Sequence, residues 1–170
     1  STSSGLKETI GWWYSIAAAD FDNDGDKDFI VGNLGKNYKY QATTSEPFEV
    51  YASDFDKSGS LDIVLSYHEE GKVYPLRGRE CSSNQMPFIK KKFPNYNDYG
   101  LADISAVYGE EDLKNSLHYT ATTFATSYVE NLGDFKFKVT EIEGLAQFSS
   151  TNNILIDDFN GDGNTYIKLK

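Results

Sequence analysis

Short apolar runs, and runs that alternate apolar and polar residues, recur along the chain and predict β-strands. The runs SIAAAD, FEVYASD and NILIDD each lead into an acidic loop, and FKFKVTEI at residues 135–142 alternates as a half-buried strand does. The segment YHEEGKVYPLR predicts a hairpin that turns at Glu70 and Gly71. The pattern therefore favours a fold built mainly of short antiparallel strands.

One region departs from this pattern. Between residues 101 and 117 the apolar residues recur at helical spacing, and Gly109 separates two predicted short helices. The preceding segment PFIKKKFPNYNDYG contains two prolines and a basic triplet, and it predicts a loop. We therefore expect a small insertion of loop and helix at about residues 78–117.

Composition narrows the possible functions. The formal net charge of −10 argues against nucleic acid and anionic membrane surfaces as partners, because both need a basic face. No run of about 18 apolar residues occurs, so membrane insertion is not expected. No zinc-ligand spacing, phosphate loop or nucleophile elbow is present, and we assign no catalytic residues.

The segment DFDNDGDKDFIVGN, residues 20–33, concentrates five aspartates within nine positions. Carboxylates this close repel one another, so a bound cation would stabilise the loop. Alternate residues of a tight loop point inward, and Gly25 suits a sharp turn at the sixth position. Several carboxylates and one backbone carbonyl, that of Asp26, suit Ca²⁺ better than Mg²⁺. The predicted ligands are Asp20, Asp22, Asp24, Asp26 and Asp28.

The loop is not an EF-hand. An EF-hand loop ends in a glutamate at its twelfth position, which here is Val31. The residues that follow the loop are β-branched and aromatic, so they predict a strand instead of an exiting helix. The sequence therefore indicates a strand–loop–strand calcium site.

Two further segments repeat the pattern. The segment from residue 54 supplies the candidate ligands Asp54, Asp56, Ser58, Ser60 and Asp62, and we expect weaker binding because serine is neutral. The segment from residue 158 supplies the candidate ligands Asp158, Asn160, Asp162 and Asn164. Its ninth position is Tyr166, so the third site is either incomplete or altered there. Each first aspartate precedes a phenylalanine that we expect to pack between sheets. The alternative is three acidic turns that bind nothing.

These loops resemble the FG-GAP or VCBS repeat family, the blade repeats of integrin α-chain-like β-propellers. The matching segments are AAADFDNDGDKDFIVGN, ASDFDKSGSLDIVLS and LIDDFNGDGN, and SYVENLGDFKFKVTEI resembles the stretch that follows a blade in the family. The chain is also similar to bacterial exported proteins related to cartilage acidic protein. The resemblance implies Ca²⁺ in a loop between two blade strands, bound by the residues named above. It also implies an exported protein at the cell surface, outer membrane or periplasm.

We therefore predict an all-β fold over residues 1–170, with β-propeller-type blades of antiparallel strands and the helical insertion. A closed propeller needs at least about four blades, and the loop spacing gives about three. We expect a fragment of a larger propeller, or a chain that self-associates through open sheet edges.

The expected function is calcium-stabilised adhesion at the bacterial surface, with a protein or glycan as partner. The alternative is a propeller-based polysaccharide lyase or hydrolase, which would need acid–base residues such as His68 or His118. A structural piece of a larger receptor is a third possibility, and the fold does not decide among the three. The two histidines lie far apart in sequence, which favours ordinary surface or half-buried positions over a paired site.

Overall fold

The computed structural model describes residues 4–163 and 165–170. The strands, in chain order, are β1 Ser15–Ala19, β2 Asp28–Gly32, β3 Phe48–Ser53, β4 Asp62–Glu69, β5 Lys72–Pro75, β6 Leu117–Ala121, β7 Ser127–Asn131, β8 Phe137–Glu141, β9 Ile154–Asp157 and β10 Tyr166–Leu169. The helices are α1 Arg79–Gln85, α2 Phe88–Lys92, α3 Tyr96–Gly100, α4 Ile104–Tyr108 and α5 Glu110–Lys114, with a 3₁₀ turn at Gly144–Gln147.

The chain divides into two compact units. The first unit comprises Ser1–Thr44 and Ala121–Lys170, and it contains a four-stranded sheet in the order β1-β2-β7-β8. Each neighbouring pair in this sheet is antiparallel. Strands β9 and β10 form a separate antiparallel ribbon. A blade repeated in tandem would use four consecutive strands, whereas this sheet draws its second half from a segment about 100 residues further along the chain.

The second unit, Ser45–Thr120, contains a sheet in the order β5-β4-β3-β6. The predicted hairpin is confirmed, because β4 and β5 pair antiparallel through the turn at Glu70 and Gly71. Both turn residues have positive φ, 50° and 75°, as the tightest hairpin turns require.

The five α-helices of the described residues lie between residues 79 and 114, inside the segment of about residues 78–117 where helix was predicted. The prediction of a loop over residues 87–100 is wrong, because α2 and α3 form there. The side chain of Asn95 caps α3 by accepting a hydrogen bond from the backbone N–H of Asp98 at 2.9 Å. Each of these helices has only five residues, too few to be stable alone, so tertiary burial stabilises them.

The core of the second unit forms between the sheet and the helices. Ile89 and Val107 are completely buried there, and Met86 is 1% exposed. The remaining members are Phe55, Val64, Tyr99, Ala102, Ile104, Tyr108 and Leu113. Because the helices supply most of this cluster, they anchor the end of the sheet that carries the second acidic loop.

The protein is thus mostly β, with blade-type antiparallel sheets and few helices, and the predicted fold class is confirmed. Within the described part of the chain, no helix has the length and apolar character needed to cross a membrane.

Candidate metal centre

Each acidic loop joins two antiparallel strands of a hairpin. The first loop, residues 20–28, links β1 to β2, and the second loop, residues 54–62, links β3 to β4. The third loop, residues 158–166, links β9 to β10. The ninth position of the first two loops is therefore also the first residue of the strand that follows.

The three loops share a positive φ at their fourth and sixth residues. Their fourth residues have positive φ, 64° at Asn23, 60° at Lys57 and 74° at Gly161. Their sixth residues are glycines, with φ between 86° and 98°. Few residues other than glycine and asparagine adopt this region readily, so the glycine at position six is a local requirement of the turn.

The side chains at the first and third positions fold these turns. In the first loop, Asp20 Oδ2 accepts the N–H of Gly25 at 3.1 Å, and Asp22 Oδ1 accepts the N–H of Asp24 at 3.2 Å. The corresponding bonds in the second loop measure 2.8 Å and 3.1 Å. The bonds of the third-position side chains reach two residues along the chain and form Asx turns, whereas those of the first-position side chains reach five residues along and hold the loop together.

Three carboxylates converge in each of the first two loops. One oxygen from each member lies within 4.8 Å of the others in two sets, which are Asp20, Asp22 and Asp24, and Asp54, Asp56 and Asp62. In the first loop, Asp20 Oδ1 and Asp26 Oδ1 are buried and have no hydrogen-bond partner among the described residues. A cation would give these oxygens the partner that the protein does not supply.

The electrostatics of the first loop favour neutralisation of its carboxylates. Partial desolvation, followed by the charges of Asp24, Asp28 and Asp20, raises the pKa of Asp22 above its ordinary value. The pKa of Asp26 is raised for the same reasons. Folding therefore holds these carboxylates where a negative charge is unfavourable unless a positive charge is added.

The ninth-position aspartates close the first two loops. Asp28 is fully buried, and its Oδ2 accepts the backbone N–H of Phe21 at 3.2 Å and the hydroxyl of Tyr128 at 2.7 Å. Its Oδ1 accepts the N–H of Asn131 at 2.8 Å. Burial raises the pKa of Asp28, but these hydrogen bonds lower it more, and the net pKa lies below its ordinary value. The role of Asp28 as a ligand stays a prediction.

Asp62 occupies the same position in the second loop. Its Oδ2 accepts the N–H of Phe55 at 3.0 Å, and its Oδ1 accepts the side-chain amide of Gln85, the last residue of α1, at 3.1 Å. The two serines of this loop are joined by a hydrogen bond, in which the Ser58 hydroxyl oxygen accepts the backbone N–H of Ser60 at 3.3 Å.

The third loop has side-chain acceptors at its first and third positions as the other two loops do, but a tyrosine stands in place of the aspartate at its ninth position. Asp158 accepts the N–H groups of Gly163 and Gly161, each at 2.7 Å, and hydrogen bonds from the Gly163 N–H and its neighbours lower its pKa. The hydroxyl of Tyr166 donates to Asp162 Oδ2 at 2.6 Å. Asn160 donates to the same hydroxyl at 3.1 Å. The predicted ligand Asn164 lies outside the described residues.

The phenylalanines after the first aspartates differ in burial. Phe55 is 8% exposed and belongs to the core of the second unit. Phe21 packs edge-on against Tyr128, with ring centroids 6.0 Å apart. Phe159 is 52% exposed, so the expectation that it packs between sheets is wrong.

Sequence reasoning missed the residues that hold the ninth-position aspartates. Tyr128 and Asn131 lie on β7, about 100 residues from Asp28 in sequence. Both belong to the stretch SYVENLGDFKFKVTEI that resembles the family, and this resemblance was the available signal. Gln85 lies in a segment that gave no such signal. The two histidines were expected to be unpaired, yet both lie within 4 Å of Glu49.

The comparisons with known proteins bear on the first loop alone. No curated protein and no solved structure matches the chain. The similarity to proteins related to cartilage acidic protein therefore stays a prediction. One family model does match: residues 12–44, which contain β1, the first loop and β2, match the FG-GAP repeat.

Proposed function

We propose that the first and second loops bind Ca²⁺ and that the protein is a calcium-stabilised binding or adhesion module built of propeller-type blades. The observation that carries this proposal is the convergence of carboxylates in the first loop, together with the buried oxygens of Asp20 and Asp26 that have no hydrogen-bond partner among the described residues. The FG-GAP match over the same segment supports a propeller-type module.

The donor set favours Ca²⁺ over other common cations. All candidate donors in the first loop are hard oxygens, and Ca²⁺ takes about six to eight of these in flexible geometry. Mg²⁺ demands near-ideal octahedral geometry and retains its waters. A nine-residue loop that supplies oxygens from alternate positions therefore suits the larger ion.

The proposed role of the ion is to stabilise the hairpins. Because the unfolded chain does not hold these carboxylates together, binding adds to the free energy of unfolding. Extracellular calcium modules bind with Kd on the order of 0.1–1 mM. With sites of this strength, which would fill outside the cytosol, the proposal places the protein at the cell surface, outer membrane or periplasm.

An exposed apolar groove in the first unit supports a protein or glycan partner. It has a volume of about 670 Å³, and its lining includes Leu6, Trp13, Tyr14, Ile16 and Phe137. Trp13 is 38% exposed and Tyr14 is 45% exposed. Aromatic rings exposed in this way contribute large apolar contact areas in complexes.

Thermal unfolding in 2 mM Ca²⁺, in excess EDTA and in Mg²⁺ tests the calcium proposal. With Kd on the order of 0.1–1 mM, linkage predicts about 0.6–1.8 kcal/mol of stabilisation per site. At about 2–4 °C per kcal/mol, Tm should rise by several degrees in Ca²⁺ and not in Mg²⁺. Asp24→Ala should lose part of this rise, whereas Glu143→Ala, which removes an exposed carboxylate outside the loops, should keep all of it.

An identical Tm in Ca²⁺ and EDTA would contradict the proposal. The adhesion part is tested separately, by probing a panel of glycans and bacterial surface proteins with the same protein. Binding that is retained in Ca²⁺ and lost in EDTA would support a calcium-stabilised module.

A further inference from the structure

The second unit contains a cluster of metal-ligating side chains that is independent of the acidic loops. Its centre is Glu49 on β3, which is 8% exposed. Strand β3 lies between β4 and β6, and each of these neighbours contributes one histidine. His68 Nε2 lies 3.6 Å from Glu49 Oε1, and His118 Nε2 lies 3.8 Å from the same oxygen. The chain has only these two histidines, and both approach one carboxylate oxygen.

The register of the sheet explains why these residues meet. Glu49 pairs with Ser66 across β3 and β4, and side chains two residues apart on a strand point to the same face. His68, two residues beyond Ser66, therefore shares a face with Glu49. His118 approaches from the opposite side on β6, where its ring stacks on Tyr51 with centroids 4.3 Å apart and planes 5° apart. Backbone pairing and this stacking bring both imidazoles to one oxygen of Glu49, although the three donor atoms are less tightly grouped than those of the acidic loops.

The two oxygens of Glu49 have different surroundings. Oε2 accepts the hydroxyl of Tyr51 at 2.7 Å and the hydroxyl of Ser66 at 3.3 Å. Oε1 faces the two imidazoles and accepts no hydrogen bond from the described residues. Carboxylates that bind metals are commonly held in this way, with one oxygen oriented by neighbouring donors and the other presented to the ion.

Hydrogen bonds among the described residues leave polar atoms of this cluster without partners. An N–H···O bond spans about 2.7–3.2 Å, so neither histidine is hydrogen-bonded to Glu49. His68 Nε2 is buried and has no hydrogen-bond partner among the described residues. A buried polar atom without a partner is costly, and such an atom in a folded protein calls for an unseen water or ion.

We propose that His68, His118 and Glu49 form a binding site for a transition-metal ion, with Zn²⁺ as the expected occupant. Two imidazole nitrogens and one carboxylate oxygen are donors that Zn²⁺ prefers, whereas Ca²⁺ prefers oxygens alone. Tetrahedral bonds of about 2.0–2.1 Å place two ligand atoms roughly 3.3 Å apart. The two N···O separations exceed this value by a few tenths of an ångström, and the three donor atoms are spread more widely than the carboxylates of the acidic loops, so binding requires a side chain to shift toward the ion. His118 has a side chain that is 41% exposed and moves most readily.

Three protein ligands leave one tetrahedral position for water or for a ligand atom of a partner. Glu49 and His118 line a groove of about 600 Å³ between the sheet and helices α4 and α5. The groove also contains Lys72 and Lys114 beside Asp103 and Glu110, so its side chains carry charges of both signs around the open position.

Titration of the full chain with Zn²⁺ in a background of 2 mM Ca²⁺ tests the site, because Ca²⁺ occupies the acidic loops in competition with Zn²⁺. Since the chain has two histidines, NMR detection of the imidazole nitrogens gives one set of signals for each ring. We expect both Nε2 signals to shift with a stoichiometry of one Zn²⁺ per chain. Co²⁺ should give the visible absorption bands of a tetrahedral complex.

Two variants separate ligation from structure. His118→Phe keeps a ring that can stack on Tyr51 but removes the nitrogen, and it should weaken Zn²⁺ binding at least about tenfold, as expected for loss of a metal ligand. Lys91→Ala removes an exposed side chain outside the groove, and it should bind Zn²⁺ as the unaltered protein does. If Zn²⁺ moves neither histidine signal, or if His118→Phe binds equally well, the proposal is overturned.

Discussion

The first and second acidic loops share positive φ at two positions and a set of turn hydrogen bonds, but they differ in charge. Both take positive φ at their fourth and sixth residues, and both use the first and third side chains to accept N–H groups. The fifth side chain also acts alike, since Asp24 Oδ1 accepts the N–H of Asp26 at 3.0 Å and Ser58 Oγ accepts the N–H of Ser60 at 3.3 Å. A neutral hydroxyl therefore folds this turn as a carboxylate does.

It follows that the extra carboxylates of the first loop are not needed for its shape. Asp24 and Asp26 stand where the second loop has serines, and the charge of Asp24 adds to desolvation in raising the pKa of Asp22. Selection for the turn alone would favour the neutral version, because like charges at this spacing repel one another. The comparison therefore separates the residues that build the loop from those that we propose to bind Ca²⁺.

The ninth position shows a second difference between these loops. Asp28 satisfies three donors and is fully buried, whereas Asp62 satisfies two and is 4% exposed. Asp28 also connects its loop to β7, while Asp62 connects its loop to the end of α1. In both loops, these hydrogen bonds therefore give the ninth aspartate a structural role.

The largest expected effect comes from removing this closure. Asp28→Ala leaves two backbone N–H groups and a tyrosine hydroxyl without their acceptor, and it should lower the free energy of unfolding by about 3–5 kcal/mol. Asp62→Ala loses fewer bonds and should cost about 2–3 kcal/mol. Urea unfolding in EDTA measures both values without a contribution from Ca²⁺.

Asp28→Asn is the matched control, because its amide oxygen still accepts hydrogen bonds. It should cost about half as much as Asp28→Ala. Losses below about 1 kcal/mol for both alanine variants would mean that the closures contribute little, and the structural assignment of the ninth position would fail.

The turns themselves could be predicted from sequence because they are local. The spacing of aspartates, with glycine at the sixth position, specifies acceptor side chains and positive φ within nine residues. The hairpin at Glu70 and Gly71 could be predicted for the same reason. These features depend on neighbours in sequence, which a repeated pattern displays directly.

Contacts between distant segments could not be predicted. Nothing near Asp28 indicates that Tyr128 bonds it, and Glu49 gives no local sign that His68 and His118 approach it. Helix α2 was missed because its periodicity is weak over five residues, and burial of Ile89 in the core stabilises it. Packing determined these features, and packing is not visible in a single sequence.

Exchanging the fifth residues of the first two loops tests whether the carboxylate at that position serves Ca²⁺ binding and not folding. The expected effects are of intermediate size. Asp24→Ser should raise the Kd of the first loop for Ca²⁺ on the order of tenfold, because ligand charge tunes affinity. In EDTA the same variant should melt slightly higher than the unaltered protein, because one repulsive charge is gone. Ser58→Asp should do the reverse in the second loop, with tighter Ca²⁺ binding and a lower Tm in EDTA.

Calorimetric titration with Ca²⁺ and thermal unfolding in EDTA give the two quantities for each variant. The opposite signs of the two effects are the important result, since a variant that merely damages the turn would lower both affinity and stability. If Asp24→Ser lowers Tm in EDTA, the carboxylate contributes to folding and the separation of roles is wrong.

The smallest effect is expected in the third loop, where Tyr166 stands in the ninth position. Its hydroxyl holds Asp162 at the exposed end of the ribbon, and the side chain of Tyr166 is well exposed. Tyr166→Phe removes one hydrogen bond to a carboxylate and should cost about 0.5–1 kcal/mol or less. Tyr166→Asp places a carboxylate where the other two loops have one, and it frees Asp162 from the tyrosine hydroxyl.

Counting bound Ca²⁺ per chain by equilibrium dialysis distinguishes the two variants. Tyr166→Asp should bind about one more Ca²⁺ than Tyr166→Phe at several millimolar Ca²⁺, because the first-position and third-position turns are already formed around Asp158. Equal counts for the two variants would show that a ninth carboxylate and a preformed turn are not enough. The convergence of carboxylates at the third and fifth positions, present in the first loop and reduced in the third, would then be the feature that makes a binding loop.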